Sequence, residues 1–290
     1  MHPAPSVILF STLSGLGLGL MFWLGLGLPA VTGWSAFGLY FIAYALAVGG
    51  LMLSAFHLAN PKNAPKAFSQ WRTSWLSREA WAAVIALLAV AVHAIGVIFF
   101  DTRLAVIGAI GSALALLTVL TTSMIYTQIR AVPRWNQVTT PILFLTLSLA
   151  GGALLAGQVT AAAMLLPLAG IAQLVHWHIG DARARGPDST PESATGLGGK
   201  GRVRLFEPPH TGSNYLLHEM VYRIGRKHAL RLRVFAIVLM VVAPALLLIV
   251  PFSPLILALA ALSHLAGVLA SRWLFFAEAE HVVGLYYGQR

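Results

Sequence analysis

Apolar residues run along this chain in long blocks, not at the intervals of two or three-and-a-half that mark half-buried strands or surface helices. Eight blocks reach the roughly 20 residues needed to cross a hydrocarbon core of ~30 Å. They cover residues 6–28, 35–58, 81–100, 104–127, 139–158, 160–179, 232–251 and 253–276. Lipid offers the backbone no hydrogen-bond partner, so each block predicts an α-helix. The chain therefore predicts an all-α membrane protein, a bundle of eight transmembrane helices forming a single integral membrane domain over residues 1–290. The first block holds Gly15, Gly17, Gly19, Gly25 and Gly27, a spacing that predicts close helix–helix approach. It is too long for the apolar core of a cleavable signal peptide and has no basic flank before it.

The connections alternate between short and long. Residues 29–34, 101–103, around 159 and around 252 are short, whereas residues 59–80, 128–138 and 180–231 are longer and charged. Eight spans put the long loops and both termini on one face. That face collects eighteen of the 19 Lys and Arg residues, and the other holds Arg103 alone. The positive-inside rule makes the basic face cytoplasmic, with 180–231 as a cytoplasmic loop and both termini in the cytoplasm of a bacterium with this protein in its inner membrane. Within that loop, residues 186–201 read as a flexible Gly/Pro/Ser linker. Residues 213–231 read as an amphipathic surface helix with a basic end.

Composition removes several functions. Charged residues make up 10% of the chain, against roughly 25% in a soluble domain. The net charge of +10 is spread over loops, which argues against nucleic acid as a partner. There is no Cys, so the chain forms no disulfide and offers no thiolate to an iron–sulfur cluster.

The chemistry-bearing residues gather around the loop that leaves the second block and enters the third. His57 stands at its start and Glu79 at its end, with Lys62, Lys66, Arg72 and Arg78 between them. A quinone needs a donor to its carbonyl oxygens, and a quinol needs an acceptor for its hydroxyl protons. Neutral imidazole offers one of each near neutrality, which suits His57 to direct contact. Glu79 suits the proton's next stop toward water, and Arg78 joins them as a candidate quinone-binding residue. Each also has a plainer reading: an interfacial His on a backbone carbonyl, and a helix-start acid with Ser77 as N-cap. Trp71, Trp75, Trp81 and Trp135 read as interface anchors. Arg72 and Arg134 are candidates for docking a partner subunit; Arg72 and Arg78 also suit an acidic partner or lipid phosphate, with solvated interfacial charge as the plainer reading of each. His93 and His264 each lie about twelve residues from the cytoplasmic end of their blocks, a shared depth that would suit a bis-His haem. His176 and His178 are two apart and share no helix face.

The segments AFHLANPKNAPKAF…WRTSWLSREAW and MIYTQIRAVPRWNQVTTP resemble the dimethyl sulfoxide reductase anchor subunit family (DmsC), most specifically in their His-Leu-x-x-Pro and Val-Pro-x-Trp parts. The resemblance extends over essentially the whole chain. It implies an anchor subunit, non-catalytic by itself. Such a subunit holds an iron–sulfur subunit and a molybdopterin catalytic subunit on the membrane and exchanges electrons with ubiquinone or menaquinone, with no haem of its own. It also implies that His57 and Glu79 belong to the quinone site. Because the face bearing His57 and Glu79 is the basic one, the catalytic partners are expected in the cytoplasm, as in the sulfite dehydrogenase branch (SoeC). The segments RLFEPPHTGSNYLLHEM and RWLFFAEAEHVV resemble that branch too. The alternatives are a menaquinol-oxidising dimethyl sulfoxide reductase anchor and a haem b-bearing membrane cytochrome. A transporter is disfavoured, because the blocks carry no cluster of acids and are not visibly paired as inverted repeats.

Overall fold

The computed structural model describes residues 1–55, 61–185, 190–207, 212, 220 and 228–287; His57 and most of the expected 213–231 helix lie outside the described residues. Within that range the protein is all-helical. Its main helices are α1 Pro5–Gly25, α2 Gly33–Ala55, α3 Trp75–Phe99, α4 Ala105–Thr127, α5 Thr139–Leu155, α6 Val159–Arg185, α7 Ala229–Leu247 and α8 Pro254–Ala277. Seven of them are long and apolar enough to cross a membrane. The remaining one, α5, is apolar but has 17 residues, about 26 Å at 1.5 Å per residue, a little short of a ~30 Å core.

The bundle turns the usual soluble pattern inside out. Large apolar side chains such as Phe41, Ile85, Leu88, Ile110 and Leu168 face outward, while Thr12, Ser14, Thr118, Thr122 and Ser148 are buried. Outward apolar residues meet lipid at no cost, and inward hydroxyls return their protons to carbonyls within the bundle. Ser14 donates to Phe10 O (2.7 Å), and Thr118 to Leu114 O (2.9 Å).

α1 is the axis of the bundle and packs on α2, α4 and α5. Its glycines bring about the close approach that their spacing predicts. A Cβ placed on Gly152 would fall 2.2 Å from the Gly19 carbonyl carbon, and one on Gly108 would fall 2.3 Å from Gly25 O. At the basic face, Trp135 and Tyr126 build an aromatic cluster with Phe144, Phe275 and Phe276. Trp135 is therefore a core residue and not an interface anchor: it is 3% exposed and donates its indole N–H to Phe275 O (2.8 Å). Trp71 and Trp81 are exposed, as an interface role requires.

Two helix ends differ from the hydropathy reading. α3 begins at Trp75, six residues before the predicted block, so Glu79 lies inside the helix. α6 continues to Arg185, past the predicted 179. There Asp181 takes bonds from Arg134 (2.5 Å) and Arg233 (2.7 Å), and Arg233 also reaches Glu278 (2.8 Å), which offsets the cost of carrying an acid at the end of a span. Of the 186–201 linker, the described part contains one capped turn, Pro191–Thr195, with Thr190 and Ser193 in a reciprocal capping box.

Candidate functional site at the start of the third helix

The loop before α3 is tied down by α3's own first turns. Pro61–Phe68 forms a 3₁₀ stretch. The Ser77 hydroxyl donates to Ala67 O and accepts from the Gln70 N–H (3.2 Å). Arg78 donates to Trp71 O (3.0 Å) and Arg72 O (2.7 Å) and lies 4.3 Å over the Trp75 ring. Trp81 donates to Phe68 O (3.0 Å). Ser77 is thus a loop tether and not the N-cap. The cap position is Ser74, and the two loop carbonyls that receive Arg78 hold the extra helical turns in register. Arg78 is spent on this strap, whereas Arg72 keeps an exposed side chain beside Trp71. Arg134 points inward to Asp181 and is part-buried.

At 100° per residue, Glu79 stands on the helix face away from Ser77 and the strap. It is 4% exposed, and its Oε1 lies 2.5 Å from the Thr122 hydroxyl of α4. That hydroxyl also lies 2.9 Å from Thr118 O. A hydroxyl has one proton to give. If Glu79 is protonated, the acid donates to Thr122 and Thr122 donates to Thr118 O. If Glu79 is ionised, Thr122 turns its proton to the carboxylate. Both protonation states are satisfied by one rotation of one hydroxyl, which is what a group that loads and releases a proton requires.

One turn along α4 is Tyr126, within the aromatic cluster. Behind that cluster sits Arg272, 2% exposed, with its guanidinium carbon 3.4 Å from the centroid of the Phe144 ring. Hydropathy places Arg272 among the charges of the basic face, but the structure buries it in α8. The sequence signal was present: Arg272 stands inside an apolar block, and an ionisable residue there points to function by default. No sequence signal singles out Thr122 from the other hydroxyls of α4.

His93 and His264 do not pair. His93 Nδ1 meets Leu104 O (3.0 Å) in the part of the bundle where Gly108 packs on Gly25, and it lines a cavity of about 140 Å³ with Tyr40, Asp101 and Arg103. His264 Nδ1 meets Met240 O (2.7 Å) and packs by Gly151 at the level of Leu16. α1 runs between the two neighbourhoods, and Leu16 and Gly25 are nine residues apart on it, about 13 Å. The two imidazoles therefore do not share a depth, and that separation does not fit a bis-His haem. His176 is buried against Phe275, with Nδ1 3.2 Å from the Thr139 hydroxyl. Among the described residues no group of three or more His, Asp or Glu side chains is placed to hold a metal ion.

The comparisons with known proteins agree on one kind of protein. Residues 6–176 match the family model described as DMSO reductase anchor subunit (DmsC). The chain is 32% identical to the sulfite dehydrogenase C-subunit of Allochromatium vinosum in an alignment covering 99% of both chains. No solved structure matches.

Proposed function

The chain belongs to the DMSO reductase anchor subunit (DmsC) family, and on that premise we propose that it is the quinone-reactive membrane anchor of a sulfite dehydrogenase. In this reading it spans the bacterial inner membrane eight times, with α5 as the short span and both termini in the cytoplasm. It holds an iron–sulfur subunit and a molybdopterin subunit on its basic face. Two electrons from the cluster subunit and two protons convert a quinone to a quinol at that face. The full-length likeness to a sulfite dehydrogenase subunit favours sulfite as the partner's substrate and quinone reduction as the direction.

The observation that carries the proposal is the buried Glu79 carboxyl against Thr122, on the inward face of the helix that the loop following His57 leads into. Glu79 is the proton carrier in this reading. His57 is the group that contacts the ring oxygen in this reading, and the described part of the loop that follows it is held to α3 by Ser77, Arg78 and Trp81. The chain performs no oxidation of sulfite itself.

The test is Glu79→Gln beside His57→Ala, in the whole complex. Gln keeps the shape and the hydrogen bond to Thr122 but cannot titrate. Quinone-coupled turnover should fall by ~10²–10⁴-fold, with the loss in kcat more than in KM, while activity with an artificial dye and subunit retention stay intact. His57→Ala should abolish the quinone-coupled rate with the same dye activity. Normal turnover with an unchanged pH profile in Glu79→Gln removes the proton-carrying role. Dissociation of the complex at raised salt would instead make Glu79 a docking charge.

A further inference from the structure

Behind Thr122, on the side away from the strap, a cavity of about 10 Å³ is bordered by Thr12, Ser14, Thr122, Ser148 and Arg272. That is room for one water. Three buried polar atoms on its walls meet no hydrogen-bond partner among the described residues: Thr12 Oγ1, Arg272 Nε and Arg272 Nη1. Buried polar groups are almost always satisfied by protein or by ordered water. A single water would take protons from the guanidinium and from Thr12 and could return one to the Thr122 oxygen. The same Thr122 hydroxyl is 2.5 Å from Glu79.

We propose that Arg272 is the positioning counter-cation of Glu79, acting across Thr122 and one water bound between Thr122, Thr12 and the guanidinium. This rests on the reading of Glu79 as the proton carrier. A guanidinium this deeply buried requires an anion or a dense set of acceptors, because its desolvation is otherwise uncompensated. The Phe144 ring face supplies part of this. Neither α1 nor α5, which wall the cavity, has a charged residue. From α4, Tyr126 is within electrostatic reach of both Glu79 and Arg272, and from α6 His176 is within reach of Arg272. Asp181 and Glu278 are committed to Arg233, with Arg134 also on Asp181. Of the described acids, Glu79 is the one whose hydrogen-bond chain opens onto the cavity. When Glu79 hands its proton to the quinone side, a carboxylate is left in a buried place. Arg272 stabilises that carboxylate and thereby sets how readily the proton leaves.

The test uses infrared difference spectra of the full-length purified protein, with the Glu79 carboxyl band assigned by its loss in Glu79→Gln. In Arg272→Gln the ratio of carboxylate to acid at Glu79, read at fixed pH, should fall about tenfold, the size of a unit-charge interaction across ~10 Å at an effective dielectric of about 20. Arg272→Lys should restore most of it. A properly folded Arg272→Gln protein with an unchanged ratio overturns the proposal. If Arg272→Gln does not fold, Thr12→Val, which removes the hydroxyl but not the volume, decides: a smaller fall of the same sign supports the bound water, and no change overturns it. Quinone turnover is measured separately on the same variants. A shifted carboxyl band beside normal turnover in Glu79→Gln would keep the Arg272–Glu79 coupling and discard the proton-carrying role.

Discussion

His281 receives the Val283 N–H on its Nδ1 (3.0 Å), just past the end of α8, while the Met1 amino group donates to Ala279 O (2.6 Å). The first and last helices are thus tied together at one seam. Burial, and then the positive amino terminus beside it, hold the His281 imidazole below its ordinary value. The folded state therefore prefers the neutral ring, and only the neutral ring has a lone pair for Val283. This contribution to stability is present above the unfolded value of ~6.5 and is lost as pH falls through that value toward the lower folded one. The protection of the Val283 amide against exchange, relative to its intrinsic rate at each pH, should fall between about pH 7 and about pH 5, and His281→Gln should flatten that dependence. A protection factor that does not change with pH in the native protein would contradict the seam. His281 has no sequence signal of its own, because its neighbours come from the far end of the chain.

At the scale of the element, α1 shows what small residues do in a bundle without a hydrophobic driving force between its helices. Gly19 meets Gly152 and Ser148, and Gly25 meets Gly108. These meetings let backbones touch and let Trp23 reach Leu149 O (3.1 Å) and Ser112 reach Phe22 O (2.7 Å). Gly152→Ala has nowhere to put its side chain, since the obstruction is the backbone of α1. It should cost on the order of 1–3 kcal/mol, seen as a lower Tm in detergent. A matched Gly15→Ala change, with open space at its Cβ position, should be close to neutral. Equal effects of the two would show that the seam does not hold the bundle. The glycine spacing is legible in the sequence, but the partner of each glycine is not. The start of α3 was hidden for a related reason. Ser74, Trp75, Leu76, Ser77 and Arg78 look like a loop by hydropathy, and it is the carbonyls of the strap that turn them into helix.

At the scale of the whole molecule, charge and length together set the expected orientation. A reporter that is active only in the periplasm, fused after Tyr287, should be silent, and the same reporter inserted in the loop at Thr102 should be active. The reverse pattern would turn the protein over and put its partners in the periplasm. The ion network of Arg134, Asp181, Arg233 and Glu278 joins the 128–138 loop to the ends of α6, α7 and α8. Burial pushes the Glu278 carboxyl up, and Arg233 opposes that shift. Some of the basic residues counted toward the expected orientation are therefore also internal fastenings. Arg134 is one of them, as its bond to Asp181 makes plain.

The sequence by itself determined the medium and the class. Long apolar blocks and the placing of Lys and Arg in the loops between them need no partner to be read, because lipid acts on each block separately and the insertion machinery reads each loop as it emerges. The candidate proton-handling site was half legible: Glu79 stands out as an acid next to an apolar block. Only the tertiary structure set Thr122 against it, brought Trp135 into the core, and placed Arg272 behind the aromatic cluster. Those positions follow from helix rotation and from which helices are neighbours. Both are decided by packing between segments far apart in the chain, as Trp135 and Phe275 are by 140 residues, and hydropathy along a single block is nearly the same for every rotation of the helix.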